Sequence, residues 1–389
     1  MDAQSSELAS AAAGPKPLAR VLIDARKLGD GGIGVYVENL IRGLAEVGAV
    51  QLTALVRPGA GDRFDLPPSV ALITENTPCY SLKELLVLGR RVDWSAFDIF
   101  HTPHYVLPYG VRVPSVVTVH DLIHIEEPEK FYYPAVAKAL IRSAVSRADA
   151  VLAVSNATRS AVEQLTGAAA GKIRHVPNAI APFLARSTSS LALPAALAGV
   201  GPFFLSVLSN CKPHKGVPEL LDAFDRFKRS EQWRGAAAVC PKLVLAGYGA
   251  EEILANKAAL AELQQRRDVI VVGAVADEQL AALYAKALAL VVPSRLEGFC
   301  LPALEAQSVG TPVVCRPVGA LKELVTERDV VAEDMSVEAL AEAFGAGLRS
   351  GASFGRTPIR AHLEAYSPKR VAERVRAVYS EVLSARRGA

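Results

Sequence analysis

The sequence predicts an α/β protein built from two doubly wound domains, and three observations predict it. Short β-branched runs alternate with amphipathic stretches of helical period, the pattern of parallel strands covered by helices. That rhythm breaks at a Pro- and Ser-bearing connection near mid-chain and then restarts. A chain of 389 residues with 51% apolar content is more than one core ordinarily serves and enough for two.

In the first half, strands are expected at 20–24, 51–56, 70–74, 97–101, 114–121 and 150–155, with helices at 34–47, 134–147 and 156–166. Val35, Leu40, Ile41 and Leu44 give the 34–47 helix its apolar face. Ser155 and Asn156 are cap candidates for the 156–166 helix. Residues 173–183 and 187–202 read as irregular, so the boundary is placed there: a disordered tail over 1–19, a first domain over 20–185 and a second over 200–367. In the second half, strands are expected at 202–208, 242–247, 269–275, 288–294 and 312–315, with helices at 216–229, 251–265 and 277–287. A terminal helix over 367–386 follows from a Ser367 cap, Pro368 in the first turn and a stripe of Val371, Val375, Val378 and Val382. Ligands of such sheets sit beyond the carboxyl ends of the strands, so the cleft between the domains is the expected site.

Composition excludes several classes. The net charge of +3, from 43 basic and 40 acidic residues, lacks the clustered basic excess of a nucleic-acid binder. Five scattered cysteines without a C-x-x-C pair point to reduced thiols in a cytoplasmic protein, with no disulfide frame or zinc ribbon. No apolar run reaches the roughly 18 residues of a membrane span. The N-terminal stretch has neither the basic nor the apolar region of a signal peptide.

Four motifs carry chemistry. In IDARKLGDGGIGVYVENL a strand enters a glycine loop and then a helix; Gly31 and Gly32 either admit a phosphate to the helix start or simply make a sharp turn. The spacing is not G-x-G-x-x-G, and the ribose-binding acid of a dinucleotide site is absent. HTPHY and HDLIH place four histidines at strand ends; a metal set is one reading and a cleft-lining His120 the preferred one, since the two groups end different strands. In SNCKPHKG, Lys212 and Lys215 can hold a phosphate chain or form a solvated basic turn. In PSRLEGFCLPALEAQSVGTPVV, Glu297 precedes a turn whose amides can meet an anion, Pro302 suits a helix start, and Glu305 lies about one turn further on. An acid, an amide nest and a second acid together suit a diphosphate-linked sugar; alternatively Glu297 is a turn carboxylate and Glu305 a surface helix acid.

The last of these segments resembles the E-x7-E signature of glycosyltransferase family 4, the retaining enzymes of GT-B fold. NCKPHKG, the glycine loop, VVTVHDLIHIEEPEKF and ADAVLAVSNATRSAVEQL are similar to other segments of that family, from about residue 20 onward. The likeness is to the mannosyltransferase-like branch that builds bacterial surface polysaccharides. It implies two Rossmann-like domains facing a cleft, with helix 368–389 crossing back onto the first. Lys212 and Lys215 would neutralise a donor diphosphate, which Gly31 and Gly32 approach from the opposite side. Glu297 would hold sugar hydroxyls, and the amides of Phe299, Cys300 and Leu301 would support sugar and phosphate. Glu305 would hold the ribose, Val275 would lie near the base and His120 near the transferred sugar. Tyr36 and Asp121 are acceptor-side candidates. Cys300 stands where the family often has Gly, which suggests a thiol near the donor that is sensitive to alkylation.

The implied reaction moves a hexose, with mannose indicated by the branch, from a nucleotide diphosphate sugar to a glycan or lipid-linked hydroxyl. Retention, front-face attack and independence of metal ion or cofactor come with the resemblance; no D-x-D is placed for a metal. A sugar-nucleotide epimerase, a phosphorylase and a non-catalytic nucleotide-sugar-binding module share the same domains and remain alternatives. The amphipathic basic stretches 81–92 and 138–148 suit peripheral attachment to an anionic membrane face.

Overall fold

A computed structural model of the chain describes residues 19–48, 50–169, 171–181, 192–230, 233–234, 239–255, 263, 265–354 and 357–387. Of the tail expected over 1–19, residues 1–18 lie outside the described residues and Ala19 is already the first residue of a strand; the 182–191 part of the mid-chain connection also lies outside them.

Two all-parallel sheets form the frame. The first has the order β3-β2-β1-β4-β5-β6-β7. Its strands are β1 (Ala19–Asp24), β2 (Val50–Val56), β3 (Ala71–Thr74), β4 (Ile99–Thr102), β5 (Ser115–Val119), β6 (Ala150–Ala153) and β7 (Ile173–His175). The second has the order β10-β9-β8-β11-β12-β13. It comprises β8 (Phe203–Val207), β9 (Lys242–Ala246), β10 (Val269–Gly273), β11 (Leu290–Val292), β12 (Val313–Cys315) and β13 (Val330–Val331). In each sheet the winding reverses once, between β1 and β4 and between β8 and β11, and crevices at the carboxyl ends open at such reversals. Helices cover both faces of the inner strands, so Val21, Leu22 and Ile23 of β1 are wholly buried in succession. β3, at the sheet edge, is exposed along its length.

The helix Gly31–Val47 buries Val37, Leu40, Ile41 and Leu44 in a core that it shares with the terminal helix Pro368–Arg387. Val35, expected on that face, is instead exposed at its edge. The terminal stripe Val371, Val375, Val378 and Val382 is buried, and Tyr379 between them reaches the strand ends. Its hydroxyl lies 2.7 Å from His101 Nδ1. His101 Nε2 lies 2.8 Å from Thr118 Oγ1, which is 2.9 Å from the Tyr36 hydroxyl. This buried chain runs under the loops that follow β4 and β5. Ser155 caps the helix Asn156–Thr166 by accepting from the Thr158 N–H. Glu323, from the second half, accepts from the N–H groups of Asn156 and Ala157 at 2.9 and 2.8 Å, and so ties that helix start to the other sheet's side.

The expected strands are present but several stop earlier. β5 ends at Val119 and β11 at Val292, so His120 and Ser294 belong to loops. β7 lies within the stretch expected to be irregular; three residues with one fully buried apolar side chain give no periodic signal. β13 and the helix Val337–Phe354 were not anticipated. Gly345, Gly347 and Gly351 read as helix breakers, yet Leu340, Phe344 and Leu348 are buried at helical spacing and Gly347 packs on Val314. The helix expected at 251–265 begins earlier, as Tyr248–Ala255, and residues 256–262 lie outside the description.

Candidate active site

The carboxyl ends of β1, β5, β6 and β7 face those of β8 and β11 across a cleft of about 400 Å3. Its size is within the range of small-molecule sites.

The first wall begins with the glycine loop after β1. A Cβ on Gly34 would lie 2.8 Å from Gly29 N and from Lys27 O, so Gly34 is required for the tight turn into the helix. Gly31 and Gly32 have open space where a Cβ would stand, and both line the cleft. The helix starts at Gly31, and its first N–H groups have no intrahelical acceptors. After β5, His120 and Asp121 line the cleft. His120 Nε2 is 2.9 Å from the Pro103 carbonyl oxygen. A carbonyl only accepts, so Nε2 carries the hydrogen and Nδ1 is an acceptor. Burial pulls the His120 pKa down to about 4, which keeps the ring neutral. Asp121 accepts from the Ile123 N–H at 3.0 Å; burial pushes its carboxyl up, and the Glu297 charge adds to that rise. Tyr36 lies behind the wall and not on it: it is 2% exposed, donor or acceptor to Thr118, and edge-on to His120 at 4.8 Å.

The second wall comes from the loops after β8 and β11, the two strands that flank the reversal. Lys215 Nζ is 2.7 Å from Glu297 Oε1, with both side chains mostly buried. The Ser294 hydroxyl donates to the same Oε1 at 2.7 Å, which leaves Oε2 as the free acceptor of Glu297 among the described contacts. Lys215 has its pKa raised: burial alone would lower it, and Glu297 more than offsets that. Lys212 lines the cleft nearer its mouth, 2.6 Å from Glu129 Oε1 of the first wall. The walls touch at Gly298, where a Cβ would fall 2.0 Å from the His120 carbonyl oxygen. Phe299, Cys300 and Leu301 then line the cleft as the helix Leu301–Ser308 begins. Cys300 holds a left-handed backbone, φ 83°, at the cap of that helix. A Gly takes that conformation without strain, whereas a residue with a side chain pays about 1 kcal/mol or more. The thiol is buried and its pKa is pushed well above the usual value, first by burial and then by the nearby Glu297. The expected ease of alkylation does not fit a shielded, protonated thiol.

Besides Tyr36, two expected residues lie off the cleft wall. Glu305 is 7% exposed and accepts from the Tyr284 hydroxyl at 2.7 Å. Burial raises its pKa to about 7, so it is not the surface helix acid that was the alternative. Val275 is half-buried against the core of the second sheet. The four histidines do not converge: His101 bonds Tyr379 and Thr118, His104 bonds Glu84, His120 bonds Pro103 and His124 Nδ1 meets the Tyr105 hydroxyl. Cys79, Glu84 and His104 do place ligand atoms within 4.8 Å of one another. The Arg26 guanidinium, 2.5 Å from Glu84, already supplies the positive charge there, and burial pushes the Cys79 thiol up to about 11.

Sequence reasoning missed Asn178 and Ser206. Both line the cleft, both are buried, and Asn178 Oδ1 and Ser206 Oγ have no hydrogen-bond partner among the described residues. Buried polar atoms are nearly always paired, so these two are ready to receive a ligand. The signal for Ser206 was a single hydroxyl in the apolar run FFLSVL; the one for Asn178 was an amide just after a strand too short to recognise.

Family comparisons agree with this geometry. Residues 196–370 match the model of "Glycosyl transferases group 1", and residues 30–182 match that of "Glycosyltransferase Family 4". O-antigen chain mannosyltransferase B of Escherichia coli is 32% identical over 270 residues, covering 66% of this chain and 67% of that protein. The chain belongs to the family 4 glycosyltransferases. The O-antigen chain mannosyltransferase RfbU of Salmonella typhimurium strain LT2 is 23% identical over 227 residues, and the match spans only 58% of its length. Among solved structures, sucrose-phosphate synthase from Thermosynechococcus elongatus superposes with a TM-score of 0.69 at 20% identity, covering 95% of this chain and all of that one. The Anabaena protein HepE, solved in complex with UDP and glucose, superposes with a TM-score of 0.70 at 19% identity, covering 93% of this chain and all of that one. The two parallel sheets facing a cleft are therefore the GT-B fold of this family, which acts in nucleotide-sugar-dependent glycosyl transfer. Among the described residues no helix is long and apolar enough to cross a membrane.

Proposed function

We propose that this protein transfers a hexose, with retention and without a metal ion, from a nucleotide diphosphate sugar to a hydroxyl of a glycan or lipid-linked acceptor. The observation that carries this reading is the Lys215–Glu297 pair, which sets an ammonium and a carboxylate 2.7 Å apart on the second wall, opposite Gly31 and Gly32. The mannosyltransferase names of the relatives support mannose as the sugar, and GDP-mannose is the donor that the resemblance to that branch implies.

The diphosphate lies between Lys212, Lys215 and the two helix starts. In the step itself the bond from the anomeric carbon to the phosphate oxygen breaks as the bond to the acceptor oxygen forms on the same face. The acceptor proton passes to the departing phosphate oxygen. Charge builds on the leaving diphosphate, and fixed cations and amides aimed there supply the dominant stabilisation. Two lysines in this place do the work a divalent ion does elsewhere. Glu297 is held by Lys215 and Ser294, so it serves as an oriented acceptor for sugar hydroxyls through Oε2 and not as a nucleophile. His120, neutral with Nδ1 as acceptor, takes another sugar hydroxyl. Glu305 receives the ribose once the nucleotide is seated, and Val275 borders the base. The contact between Gly298 and His120 brings the walls together and excludes water, which favours transfer over hydrolysis. The basic stretches 81–92 and 138–148, with Leu82 and Leu86 exposed in the first, support peripheral contact with an anionic membrane.

The test is a thermal-shift panel of GDP-, UDP-, ADP- and dTDP-sugars on the wild type and on Lys215→Ala, followed by nucleotide release with and without a glycan acceptor. A ligand at about 100 times its dissociation constant stabilises by roughly 2.7 kcal/mol. One nucleotide sugar is expected to shift the wild type alone, with acceptor-dependent release and no loss on chelation. Release independent of acceptor, or abolished by a chelator, overturns the proposal.

A further inference from the structure

The buried chain beneath the first wall ends against His120, and the transfer step uses none of its members. Tyr379 of the terminal helix, His101 of β4, Thr118 of β5 and Tyr36 of the helix Gly31–Val47 are each at most 2% exposed. Their links are short, 2.7, 2.8 and 2.9 Å in that order. Burial lowers the His101 pKa to about 3, so the ring is neutral, and it raises both phenols, so both stay hydroxyls. A neutral imidazole offers one donor and one acceptor, so the two bonds of His101 run in the same direction along the chain. Loss of the Tyr379 hydroxyl leaves a buried ring nitrogen unpaired.

His120 needs support from behind. Among the described residues its ring has one polar contact, Nε2 to the Pro103 carbonyl oxygen at 2.9 Å, and Nδ1 has to stay open for a sugar hydroxyl. A ring held at one atom can rock about that bond. Tyr36 blocks the rocking: its ring meets His120 edge-on, with centroids 4.8 Å apart and planes at 82°. The Tyr36 hydroxyl is tied to Thr118, two residues before His120, so one side chain grips a single stretch of backbone at two points. Thr118 is held in turn by His101, and His101 by Tyr379. A charge on His120 would be felt at His101, so the chain runs close beneath the cleft. A reacting group displaced by about 1 Å can lose about a hundredfold in rate, and packed, hydrogen-bonded neighbours are what prevent such displacement.

We infer that Tyr36 is a positioning residue for His120, and that Tyr379 of the terminal helix holds Tyr36 in place through His101 and Thr118. The inference rests on the transferase reading, in which His120 accepts a sugar hydroxyl through Nδ1.

The experiment follows the His120 ring by NMR in the full-length protein with isotope-labelled histidine, its signals assigned from His120→Gln. Wild type is compared with Tyr36→Phe, Tyr379→Phe and Val382→Ala. The last removes buried apolar contacts from the terminal helix and leaves the chain of hydroxyls and imidazole intact. Calorimetry with GDP and GDP-mannose, and with UDP and UDP-glucose, runs in parallel. The wild type is expected to show His120 in a single form protonated at Nε2. Tyr36→Phe moves its ring signals most, Tyr379→Phe moves them less and Val382→Ala leaves them unchanged. Tyr36→Phe binds the nucleotide sugar about tenfold more weakly, the loss of one good hydrogen bond, and binds the matching nucleotide diphosphate as the wild type does. Unchanged His120 signals in both phenylalanine variants overturn the inference. An equal displacement in Val382→Ala also overturns it, since that marks a general loosening of the helix, and so does an equal loss of affinity for nucleotide and nucleotide sugar. Failure of the wild type to bind any of these ligands strikes the transferase reading, while the His120 signals still decide whether Tyr36 positions the ring.

Discussion

Lys212 of the second wall and Glu129 of the first are joined across the cleft mouth, Nζ to Oε1 at 2.6 Å. Lys212 is also a proposed ligand of the donor diphosphate, so the donor and Glu129 compete for one ammonium. The Glu129 carboxyl is held below its ordinary pKa by Lys212, so at neutral pH the pair is charged. Both side chains are more than a third exposed, and such pairs are worth about 0.2–1 kcal/mol. Glu129→Gln is therefore expected to tighten nucleotide diphosphate binding by up to about fivefold. Lys212→Ala weakens it instead. Titration calorimetry with the cognate nucleotide decides; a Glu129→Gln variant that binds no better than wild type removes the competition.

The Lys215–Glu297 pair behaves differently because it is mostly buried, at 14% and 11% exposure. Removing one partner strands the other charge out of water, at a cost of about 3 kcal/mol. Lys215→Met and Glu297→Leu are each expected to destabilise by about that amount and to abolish transfer. The double variant recovers most of the stability and none of the activity, since an apolar pair tolerates burial but cannot bind a phosphate or a sugar hydroxyl. Urea unfolding of the three variants measures this. Additive losses in the double variant show that the two side chains do not act as a pair.

Much of this was legible in the sequence where the signal was periodic or chemically dense. β1 showed because parallel strands buried on both faces read as continuous apolar runs, and the Lys212-to-Lys215 and Glu297-to-Glu305 segments showed because several chemical types crowd into a few positions. β7 and Asn178 were not legible, because a three-residue strand has no period and a single amide has no company. The helix Val337–Phe354 was hidden by its glycines. The burial of Tyr36 and Glu305 was also beyond the sequence: which side of a short helix or loop faces the cleft depends on what the opposite element packs against. For Glu305 that partner is Tyr284, 21 residues away.

Gly32 separates ligand binding from folding. Its Cβ position is open and it stands in the first turn of its helix without a positive φ, so Gly32→Ala costs the fold nothing and adds at most about 1 kcal/mol of helix stability. The added methyl stands in the cleft, where the diphosphate approaches. The expected outcome is an unchanged or raised Tm with donor affinity reduced about tenfold or more. Unchanged affinity shows that the phosphate does not come near this loop.

Cys300 should resist alkylation in the folded protein. Iodoacetamide near pH 8 is expected to modify the half-buried Cys79, Cys211 and Cys240 slowly, and to leave Cys300 and Cys315 untouched until urea unfolds the chain. Peptide mass mapping reads this directly. Early labelling of Cys300 shows that the cleft opens to admit the reagent and that the thiol ionises more readily than its burial implies.

Glu305 makes stability depend on pH with a definite sign. Its folded pKa is raised to about 7 by burial, above the ordinary value of 4.5. Between those values the folded chain binds a proton that the unfolded chain has released, so stability falls as pH rises through the window and stays lowered above it. Glu305→Gln keeps the acceptor for the Tyr284 hydroxyl but cannot ionise. The variant should match wild type near pH 4.5 and exceed it near pH 8, by about 3 kcal/mol at most. His101 and His120, lowered to about 3 and about 4, work in the opposite direction below pH 6.5, where the unfolded chain binds the extra protons and stability falls on acidification. They are common to both proteins and cancel in the difference. Urea unfolding of the two proteins at pH 5, 6, 7 and 8 traces the curve. A difference that does not grow with pH shows that Glu305 is ionised in the folded chain throughout, held by groups other than Tyr284.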